Sequence, residues 1–309
     1  MRFPQAAVDK GEGCRLACTV MPPVRKAVIP AAGFGTRFLP VAKAVPKEML
    51  PLVDKPVIQY VVEEAVASGI TDILIVISRG KRAIEEHFHP APELEAELEA
   101  KGRSAELEDL RRLHSLARIH YVWQPRMGGL GDAVLQAREH VGDEPFAVLL
   151  GDTVVTTGGA PLTRQLADVV EAHGGSAVAL QEVSAENVSR YGILGGPEVA
   201  PGLFRAESFV EKPAPAEAPS RLAVSARYVL SPGIFRQLEQ TPRGRGGELQ
   251  LTDAMAALMG REVLHGLRYE GQRHDIGNKL DFIAANVRFG LARADIGPAL
   301  RESLRSLLE

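Results

Sequence analysis

Short apolar runs alternate with longer segments of helical periodicity along most of the chain. In the first half, apolar runs predict strands at residues 27–32, 72–77, 119–123 and 146–150, and the segments between them predict helices at 56–68, 81–88 and 130–140. This alternation is typical of an α/β fold with a Rossmann-like, doubly wound, mainly parallel sheet and helices on both of its faces. Ligands of such sheets bind beyond the carboxyl ends of the strands.

The second half of the chain continues the alternation less regularly. We predict strands at 176–183, 207–211 and 222–230 and helices at 232–239, 250–259, 279–289 and 298–308. No internal repeat or low-complexity linker divides the chain, so we expect one continuous fold with a second lobe. The predicted organisation is a flexible extension at 1–22, one main domain at 23–292 and a C-terminal helical segment at 293–309.

One charged segment, residues 91–118, interrupts the alternation. It is rich in Ala, Glu and Leu, which favour helix, and Gly102 is expected to divide it in two. We therefore predict a helical insertion into the main domain. Its role as a solvated surface element, a lid or a contact between subunits stays open.

Composition and charge narrow the class of protein. Of the 309 residues, 45% are hydrophobic and 24% are charged, and no apolar run is long enough to span a bilayer. The formal net charge of -3 argues against a nucleic-acid-binding protein, which usually has a basic face. Cys14 and Cys18 fit neither a zinc site nor a disulfide framework.

Because the N-terminus also lacks a secretory signal, we expect a cytoplasmic protein with no membrane or nucleic-acid partner. Met21, just ahead of the first predicted strand, is an alternative start.

A glycine-rich segment directly follows the first predicted strand. It reads GFGTRFLPVAKAVPK from Gly33 to Lys47. Glycines let backbone N–H groups approach phosphate oxygens closely, and Arg37 and Lys47 supply positive charge. The segment therefore predicts a loop that binds a triphosphate.

Two common phosphate-binding loops do not match this segment. In the dinucleotide fingerprint of the Rossmann fold, a third glycine would occupy the position of Phe38. Pro40 and Pro46 would also break a helix that began here. The Gly-Lys-Ser/Thr of a P-loop is absent from the segment as well. These mismatches indicate a different class of nucleotide loop.

The same residues resemble the signature of a known family. The run GFGTR at 33–37, followed by Pro40 and Pro46-Lys47, is similar to the signature of the sugar-1-phosphate nucleotidyltransferases. The continuation EMLPLVDKP at 48–56 resembles the bacterial UTP–glucose-1-phosphate uridylyltransferases within that superfamily. The likeness extends from about Lys26 to Leu291. It implies a glycosyltransferase-A-like fold with a sugar-side lobe, and a homo-oligomer.

The resemblance implies that UTP and glucose 1-phosphate react to form UDP-glucose and pyrophosphate. The sugar phosphate, already an anion, attacks the α-phosphorus of UTP, so no general base is needed. Repulsion between two polyanions and the need for in-line alignment form the barrier, so cations and a rigid cradle are required. The positive charges of Arg37 and Lys47 make these residues suitable to bind the triphosphate. By resemblance, the nucleotide is also held by the backbone of Ala32, Gly33, Gly35 and Thr36.

Two aspartates are implied as ligands of a catalytic Mg²⁺. Asp152 comes one residue after an apolar strand, in the sequence LLGD, and Asp275 lies in the sequence RHDIGN. Mg²⁺ usually binds few protein carboxylates together with phosphate oxygens. By resemblance, both aspartates contact the metal. The neighbouring His274 is expected to be structural, because the reaction needs no acid–base group.

The base and the sugar have separate candidate residues. The amide of Gln124 can donate and accept hydrogen bonds, which matches the imide edge of uracil or thymine, and Gly129 would let the base lie against the backbone. By resemblance, Gly192 and Glu211 contact the hexose. Lys212 is implied as a third catalytic residue that pairs with the sugar's phosphate.

Two positions raise questions that the resemblance does not answer. Relatives usually have Gly-Leu-Gly-His where this chain has Asp132 in the fourth place, so no role of that histidine is carried over to this chain. A direct phosphate contact at Asp132 is not expected because of its charge. Thr252 or Asp253 is expected to cap the helix at 250–259, with a contribution to the sugar pocket or a subunit contact as alternatives.

Two other functions stay open. A thymidylyltransferase would use dTTP, and uracil differs from thymine by one methyl group, worth only about 1–3 kcal/mol in a pocket. A regulator that binds sugar nucleotides without turnover is the other alternative. Loss of charged site residues would favour the regulator, but Arg37, Lys47, Asp152 and Lys212 are all present.

Overall fold

The structure of the chain is a computed structural model that describes residues 22–308, apart from the side chain of Arg245. Cys14, Cys18 and Met21 lie outside the described residues, with nearly all of the predicted N-terminal extension.

The described residues form an alternating series of strands and helices. The strands are β1 (Lys26–Pro30), β2 (Pro51–Leu52), β3 (Lys55–Pro56), β4 (Asp72–Ile77), β5 (Arg118–Trp123), β6 (Phe146–Leu149), β7 (Thr153–Thr157), β8 (Ser176–Glu182), β9 (Gly192–Gly195), β10 (Glu198–Ala200), β11 (Leu203–Arg205), β12 (Ser208–Glu211), β13 (Leu222–Leu230), β14 (Leu264–Arg268) and β15 (Gly271–Asp275). The helices are α1 (Val57–Ala67), α2 (Arg82–Phe88), α3 (Pro92–Ala100), α4 (Ser104–His114), α5 (Leu130–Leu135), α6 (Arg138–Val141), α7 (Leu162–His173), α8 (Gly233–Gln240), α9 (Leu251–Leu258), α10 (Lys279–Ala292) and α11 (Gly297–Leu308). Among residues 22–308, no helix has both the length and the apolar character that crossing a bilayer requires.

A large mixed sheet forms the centre of the molecule, with the strand order β10-β11-β14-β8-β13-β6-β1-β4-β5. β1 is parallel to β4 and β6, and β4 is parallel to β5. Near the centre, β13 is antiparallel to both β6 and β8. The predicted α/β fold with a mainly parallel sheet is confirmed. The four strands β1, β4, β5 and β6 therefore end at one edge of the sheet, where a ligand of such a fold is expected.

Side chains of the central strands alternate between two hydrophobic cores. In β1, Val28 packs into one core, and Ala27 and Ile29 pack into the other; all three are fully buried. Helices α5, α8 and α9 contribute to the first core, and α1 and α7 contribute to the second. Because both faces of the sheet are covered, β1, β4 and β6 consist almost entirely of apolar residues. This burial explains why the sequence presented them as continuous apolar runs.

A buried ion pair connects the second face of the sheet to its helices. Arg227 of β13 is fully buried, and its Nη2 donates to Glu64 of α1 at 2.7 Å and to the carbonyl of Thr153 at 2.9 Å. The hydroxyl of Thr163 in α7 donates to the same carboxylate at 2.7 Å. These contacts join β13, α1, α7 and the start of β7 next to the edge of the sheet that carries Asp152.

Several elements differ from the sequence-based expectations. The helix predicted at 130–140 is divided, because α5 ends at Leu135 and α6 begins at Arg138. The pattern did not indicate α7, β7, β14 or β15, nor the short strands β9, β10 and β11. Residues 91–118 contain α3 and α4, and Gly102 between them has a φ of 63°. The proposed roles of that segment and the domain limits at 22 and 292 stay predictions.

Candidate active site

The glycine loop leaves β1 at the carboxyl edge of the sheet and is fastened to the neighbouring strand β4. The N–H of Ala31 donates to the carbonyl of Val76 at 2.8 Å, and the hydroxyl of Ser78 donates to the carbonyl of Ala32 at 2.6 Å. Gly35 has a φ of 67°, in the left-handed region that favours glycine. The loop is therefore fixed at its start, and its path requires a glycine.

Lys47 lies across this loop and forms an ion pair with Asp152, which connects β6 to β7. A Cβ on Gly35 would come within 3.2 Å of the Lys47 side chain, so the glycine lets the lysine pass close to the backbone. Burial alone would lower the pKa of Lys47 and raise the pKa of Asp152. Their mutual attraction and hydrogen bond outweigh burial, so the pKa of Lys47 is raised and the pKa of Asp152 is lowered. Both groups are held in their charged forms.

A second ion pair, Glu48–Lys81, lies buried behind the first. The Lys81 Nζ is 2.7 Å from Glu48 Oε2, and the two residues are only 5% and 1% exposed. Burial lowers the pKa of Lys81 and raises the pKa of Glu48, against their attraction for each other. Glu48 also attracts Lys47 and raises its pKa. One buried carboxylate thus offsets the charges of two neighbouring lysines.

A two-stranded ladder brings Asp275 beside Asp152. β15 pairs with β7 in antiparallel register, with Asp275 opposite Thr153. The N–H of Ile276 then donates to the carbonyl of Asp152 at 3.0 Å. The two aspartates, which the sequence separates widely, meet because of this ladder.

Gly277 keeps a space open between the two carboxylates. A Cβ on Gly277 would lie 2.8 Å from Asp275 Oδ1, 3.4 Å from Asp152 Oδ2 and 3.9 Å from an Arg37 Nη1. Two carboxylate oxygens and a guanidinium therefore face a space that a side chain would fill. Oxygen donors of this kind suit a hard divalent cation that shares phosphate oxygens with its ligand. The donor set fits the metal that the sequence implied.

Gln124 lies at the same edge of the sheet, directly after Trp123, the last residue of β5, which is 54% exposed. Its backbone N–H donates to the carbonyl of Ile77 at 2.8 Å, and the residue is only 5% exposed. Its side-chain Nε2 donates to the carbonyl of Gly129 at 3.2 Å and to Asp132 Oδ2 at 2.7 Å. Asp132 is therefore a direct partner of the residue predicted to contact the base.

The sugar-side residues lie together at the end of the β9–β12 ladder, where Glu211 is opposite Gly192. Lys212 Nζ is 2.9 Å from Glu211 Oε1, and the hydroxyl of Thr252 donates to Glu211 Oε2 at 2.7 Å. A Cβ on Gly192 would be only 3.1 Å from the Thr252 hydroxyl and 3.3 Å from Glu211 Oε2. The glycine thus lets both side chains lie close to the strand backbone, and Glu211 is fixed from two sides.

Thr252 does not have the role expected from the sequence. Helix α9 begins at Leu251 after Gln250, and no side chain caps its first turn. The prediction that Thr252 or Asp253 caps this helix was wrong. The hydroxyl of Thr252 instead contacts Glu211, 41 residues away in the sequence. No local pattern signals a contact over that distance, so the sequence did not indicate Glu211 as the partner. The alternative expectation for Thr252, a contribution to the sugar pocket, stays a prediction.

Two adjacent cavities contain all of the residues predicted for the site. The first, of about 420 Å³, is lined by Ala32, Gly33, Gly35, Thr36, Lys47, Gln124 and Gly129. The second, of about 250 Å³, is lined by Arg37, Gly192, Glu211, Lys212, Thr252 and Asp275. Asp152 lines both cavities. The arrangement can hold two anionic ligands side by side, each with its own cations, and a carboxylate at the junction.

The comparison with known sequences identifies relatives over nearly the whole chain. Residues 26–290 match the sequence profile of the nucleotidyl transferase family. The UTP–glucose-1-phosphate uridylyltransferase YngB of Bacillus subtilis (strain 168) is 50% identical over 286 residues, which cover 93% of this chain and 95% of that protein. A second UTP–glucose-1-phosphate uridylyltransferase of the same strain is 48% identical over 288 residues, which cover 93% of this chain and 98% of the relative.

Solved structures agree with the sequence relatives. UTP-bound UGPase from Acinetobacter baumannii has a TM-score of 0.86 at 36% identity and covers 92% of this chain and 99% of its own. A UDP-glucose pyrophosphorylase complexed with UDP-glucose has a TM-score of 0.80 at 38% identity, with coverage of 87% and 100%. The resemblance expected from the sequence is confirmed: the chain belongs to the nucleotidyl transferase family, among the UTP–glucose-1-phosphate uridylyltransferases.

Proposed function

We propose that this chain forms UDP-glucose and pyrophosphate from UTP and glucose 1-phosphate. The observation that carries the proposal is the pair of adjacent cavities that meet at Asp152. One solved relative is bound to UTP and another to UDP-glucose, which are a substrate and the product of this reaction. The curated relatives are named for the same activity.

UTP is assigned to the first cavity. Its triphosphate lies along the glycine loop, where backbone N–H groups and the Lys47 ammonium attract phosphate oxygens. The uracil lies toward Gln124 and Gly129. In this pose the α-phosphorus is near Asp152, at the junction with the second cavity.

Glucose 1-phosphate is assigned to the second cavity. Glu211 accepts hydrogen bonds from sugar hydroxyls, and its carboxylate is already held in place by Thr252 and Lys212. Lys212 has a φ of 47°, which is uncommon for a residue with a side chain, and its N–H donates to the carbonyl of Tyr191 at 3.0 Å. Lys212 lines the second cavity beside Glu211, and we assign it to the phosphate of the sugar.

The transfer step requires alignment and positive charge but no proton transfer. A phosphate oxygen of glucose 1-phosphate forms a bond to the α-phosphorus of UTP. The bond from that phosphorus to the bridging oxygen of pyrophosphate breaks, and its electron pair leaves with pyrophosphate. Arg37 and Lys47 stabilise the charge that develops on the leaving group, and Lys212 reduces repulsion as the two anions approach.

We assign Asp152 and Asp275 as the residues that hold Mg²⁺. When bound, the ion supplies positive charge that offsets the repulsion between the phosphates and polarises the phosphoryl oxygens. The ion pair with Lys47 keeps Asp152 ionised, and a bound ion would share this carboxylate with the Lys47 ammonium. Gly277 preserves the space that the carboxylates share.

Release of pyrophosphate tests the proposed function. The purified protein is mixed with Mg²⁺, glucose 1-phosphate and one of UTP, dTTP, CTP or ATP, with reactions lacking the sugar phosphate as controls. We expect the highest kcat/KM with UTP. A clear preference for dTTP would assign the chain as a thymidylyltransferase, and no release with any nucleotide would favour a non-catalytic regulator.

The homo-oligomer and the cytoplasmic location inferred from the sequence stay predictions. Light scattering of the purified protein at working concentration measures its mass in solution. A mass equal to that of one chain, 33.3 kDa, would contradict the homo-oligomer.

A further inference from the structure

We propose that Asp132 is a positioning residue that sets the orientation of the Gln124 amide and so selects nucleotides whose base carries an N3–H. This inference rests on the proposed function, because it concerns the base of the nucleotide in the first cavity. It assigns a role to the position at which relatives usually have histidine.

The hydrogen bonds of Gln124 determine which end of its amide faces the cavity. An ionised carboxylate can only accept hydrogen bonds, so the 2.7 Å contact with Asp132 Oδ2 requires the NH₂ group of Gln124. The same nitrogen donates to the carbonyl of Gly129 at 3.2 Å. A rotated amide would place Oε1 against two other oxygen acceptors, with no donor between them. Two independent acceptors thus favour the same orientation.

The Asp132 carboxylate is itself held in place. A Cβ on Gly128 would lie 2.5 Å from Asp132 Cγ, so the carboxylate packs directly over the backbone of that glycine. On the other side, Arg243 Nη2 is 3.6 Å from Asp132 Oδ1. The Asp132 side chain is only 16% exposed. It therefore acts as a fixed acceptor for Gln124.

The amide oxygen is left as the group that can contact a base. Across residues 22–308, leaving aside the side chain of Arg245, no side chain or backbone group donates a hydrogen bond to Gln124 Oε1, although the residue is 5% exposed and lines the first cavity. Uracil and thymine present an N3–H donor to such an acceptor. Cytosine in the same pose would present a lone pair at N3. A site that hydrogen-bonds a substrate group discriminates strongly against an analogue that lacks it.

The test compares UTP with CTP in variants of Asp132. Asp132→Leu keeps nearly the size of the side chain but cannot accept a hydrogen bond from Gln124, and Asp132→Ala removes the contact altogether. For both, we expect the ratio of kcat/KM for UTP to that for CTP to fall about tenfold. The loss appears mainly as a higher KM for UTP, with kcat at saturation retained. Gln136→Ala is the matched control, because its amide contacts only the backbone carbonyl of Asp132 at 3.2 Å, and it leaves the ratio unchanged.

Variants of Gln124 separate this inference from the proposed function. We expect Gln124→Ala to lower the UTP/CTP ratio, and Asp132→Ala to add nothing in the Gln124→Ala background. Additive effects in the double variant, or a parental ratio in both Asp132 variants, would overturn the positioning role while leaving the base site intact. A parental ratio in Gln124→Ala would instead contradict the base site of the proposed function. Thermal unfolding identifies variants that fail to fold, and Asp132→Leu keeps the test decisive if Asp132→Ala is one of them.

Discussion

A single ion pair, Lys47–Asp152, joins the loop assigned to the triphosphate with the carboxylate assigned to the metal. Burial alone would favour the neutral form of each residue, but the charge of its partner opposes this effect. Both residues therefore stay charged before any ligand binds. Such a pair is costly to leave incomplete, because removing one charge leaves the other partly buried and alone. The residues of the site thus depend on one another before they contact substrate.

Asp152→Asn is expected to lower kcat about 10²-fold at saturating Mg²⁺ in a protein that still folds, with thermal unfolding shifted to lower temperature because Lys47 loses its partner charge. The amide has nearly the size of the carboxylate but lacks the charge that a metal ligand and a partner of Lys47 require. Initial rates of pyrophosphate release over a range of Mg²⁺ concentrations provide the measurement. Asp168→Asn, in an exposed pair with Arg164, is the control and keeps the parental rate. Near-parental turnover of Asp152→Asn would count against the metal assignment.

Lys212→Ala is expected to raise the KM for glucose 1-phosphate by about tenfold or more and to leave the KM for UTP nearly unchanged, because the lysine is assigned to the sugar's phosphate. Steady-state kinetics with each substrate varied in turn separate the two constants. Lys101→Ala removes an exposed lysine in α3–α4 and provides the comparison. An effect confined to the KM for UTP would instead assign Lys212 to the nucleotide.

At the scale of elements, the contact of Arg227 with Glu64 connects β13 to α1 and, through Thr163, to α7. Arg227 is fully buried, so the loss of its partner charge leaves a cation in the core. The contact therefore holds two helices against the sheet next to the strand that precedes Asp152.

Glu64→Gln is expected to lower the free energy of unfolding by about 3 kcal/mol, because the buried Arg227 charge is left without its partner. Urea unfolding followed by circular dichroism measures the change. The adjacent Glu63→Gln is a matched control: Glu63 pairs with Lys55 at 2.8 Å, but both side chains are 33% exposed, so its loss is expected to cost less than about 1 kcal/mol. Equal losses in the two variants would contradict the structural role of the Arg227 pair.

The difference between the buried strands of the main sheet and the ladder of β7 and β15 explains which parts of the fold could be predicted from the sequence. Strands β1 and β6 are buried on both faces, so their apolar runs and the residues that follow them, including Gly33 and Asp152, could be predicted. The ladder of β7 and β15 lies outside the main sheet and reads TVVTT and GQRHD, which has no continuous apolar run. The meeting of Asp275 with Asp152 depends on that ladder. Its register could not be predicted from the local pattern, and only the family resemblance paired the two aspartates.

At the scale of the whole molecule, the site is assembled from segments that span most of the chain, from Ala32 to Asp275. Its integrity therefore depends on global stability, which buried histidines make sensitive to pH. His265 in β14 and His274 in β15 are 7% and 6% exposed, and burial lowers the pKa of each. His274 also packs edge-on against Phe289, with ring centroids 5.2 Å apart, in keeping with the structural role expected for it.

We expect the free energy of unfolding to decrease as the pH falls below about 6.5, the pKa of a histidine in an unfolded chain. The unfolded chain then binds protons at His265 and His274, whereas the folded chain binds them only at lower pH, so acid favours unfolding. His265→Gln is expected to reduce the slope of stability against pH between about 5 and 7. The exposed His89→Gln serves as the comparison. An unchanged slope in His265→Gln would show that this histidine does not titrate differently in the two states.

The exposed Trp123 gives the molecule a built-in optical signal. It is the single tryptophan of the chain and directly precedes Gln124, which lines the first cavity, so its indole is an intrinsic probe next to a residue of that cavity. Addition of UTP in the absence of glucose 1-phosphate is expected to change the tryptophan emission, and Trp123→Phe is expected to abolish that change while retaining pyrophosphate release. Binding of UTP can then be measured before glucose 1-phosphate is added. The order in which the two substrates bind can therefore be determined separately from the rate of the chemical step.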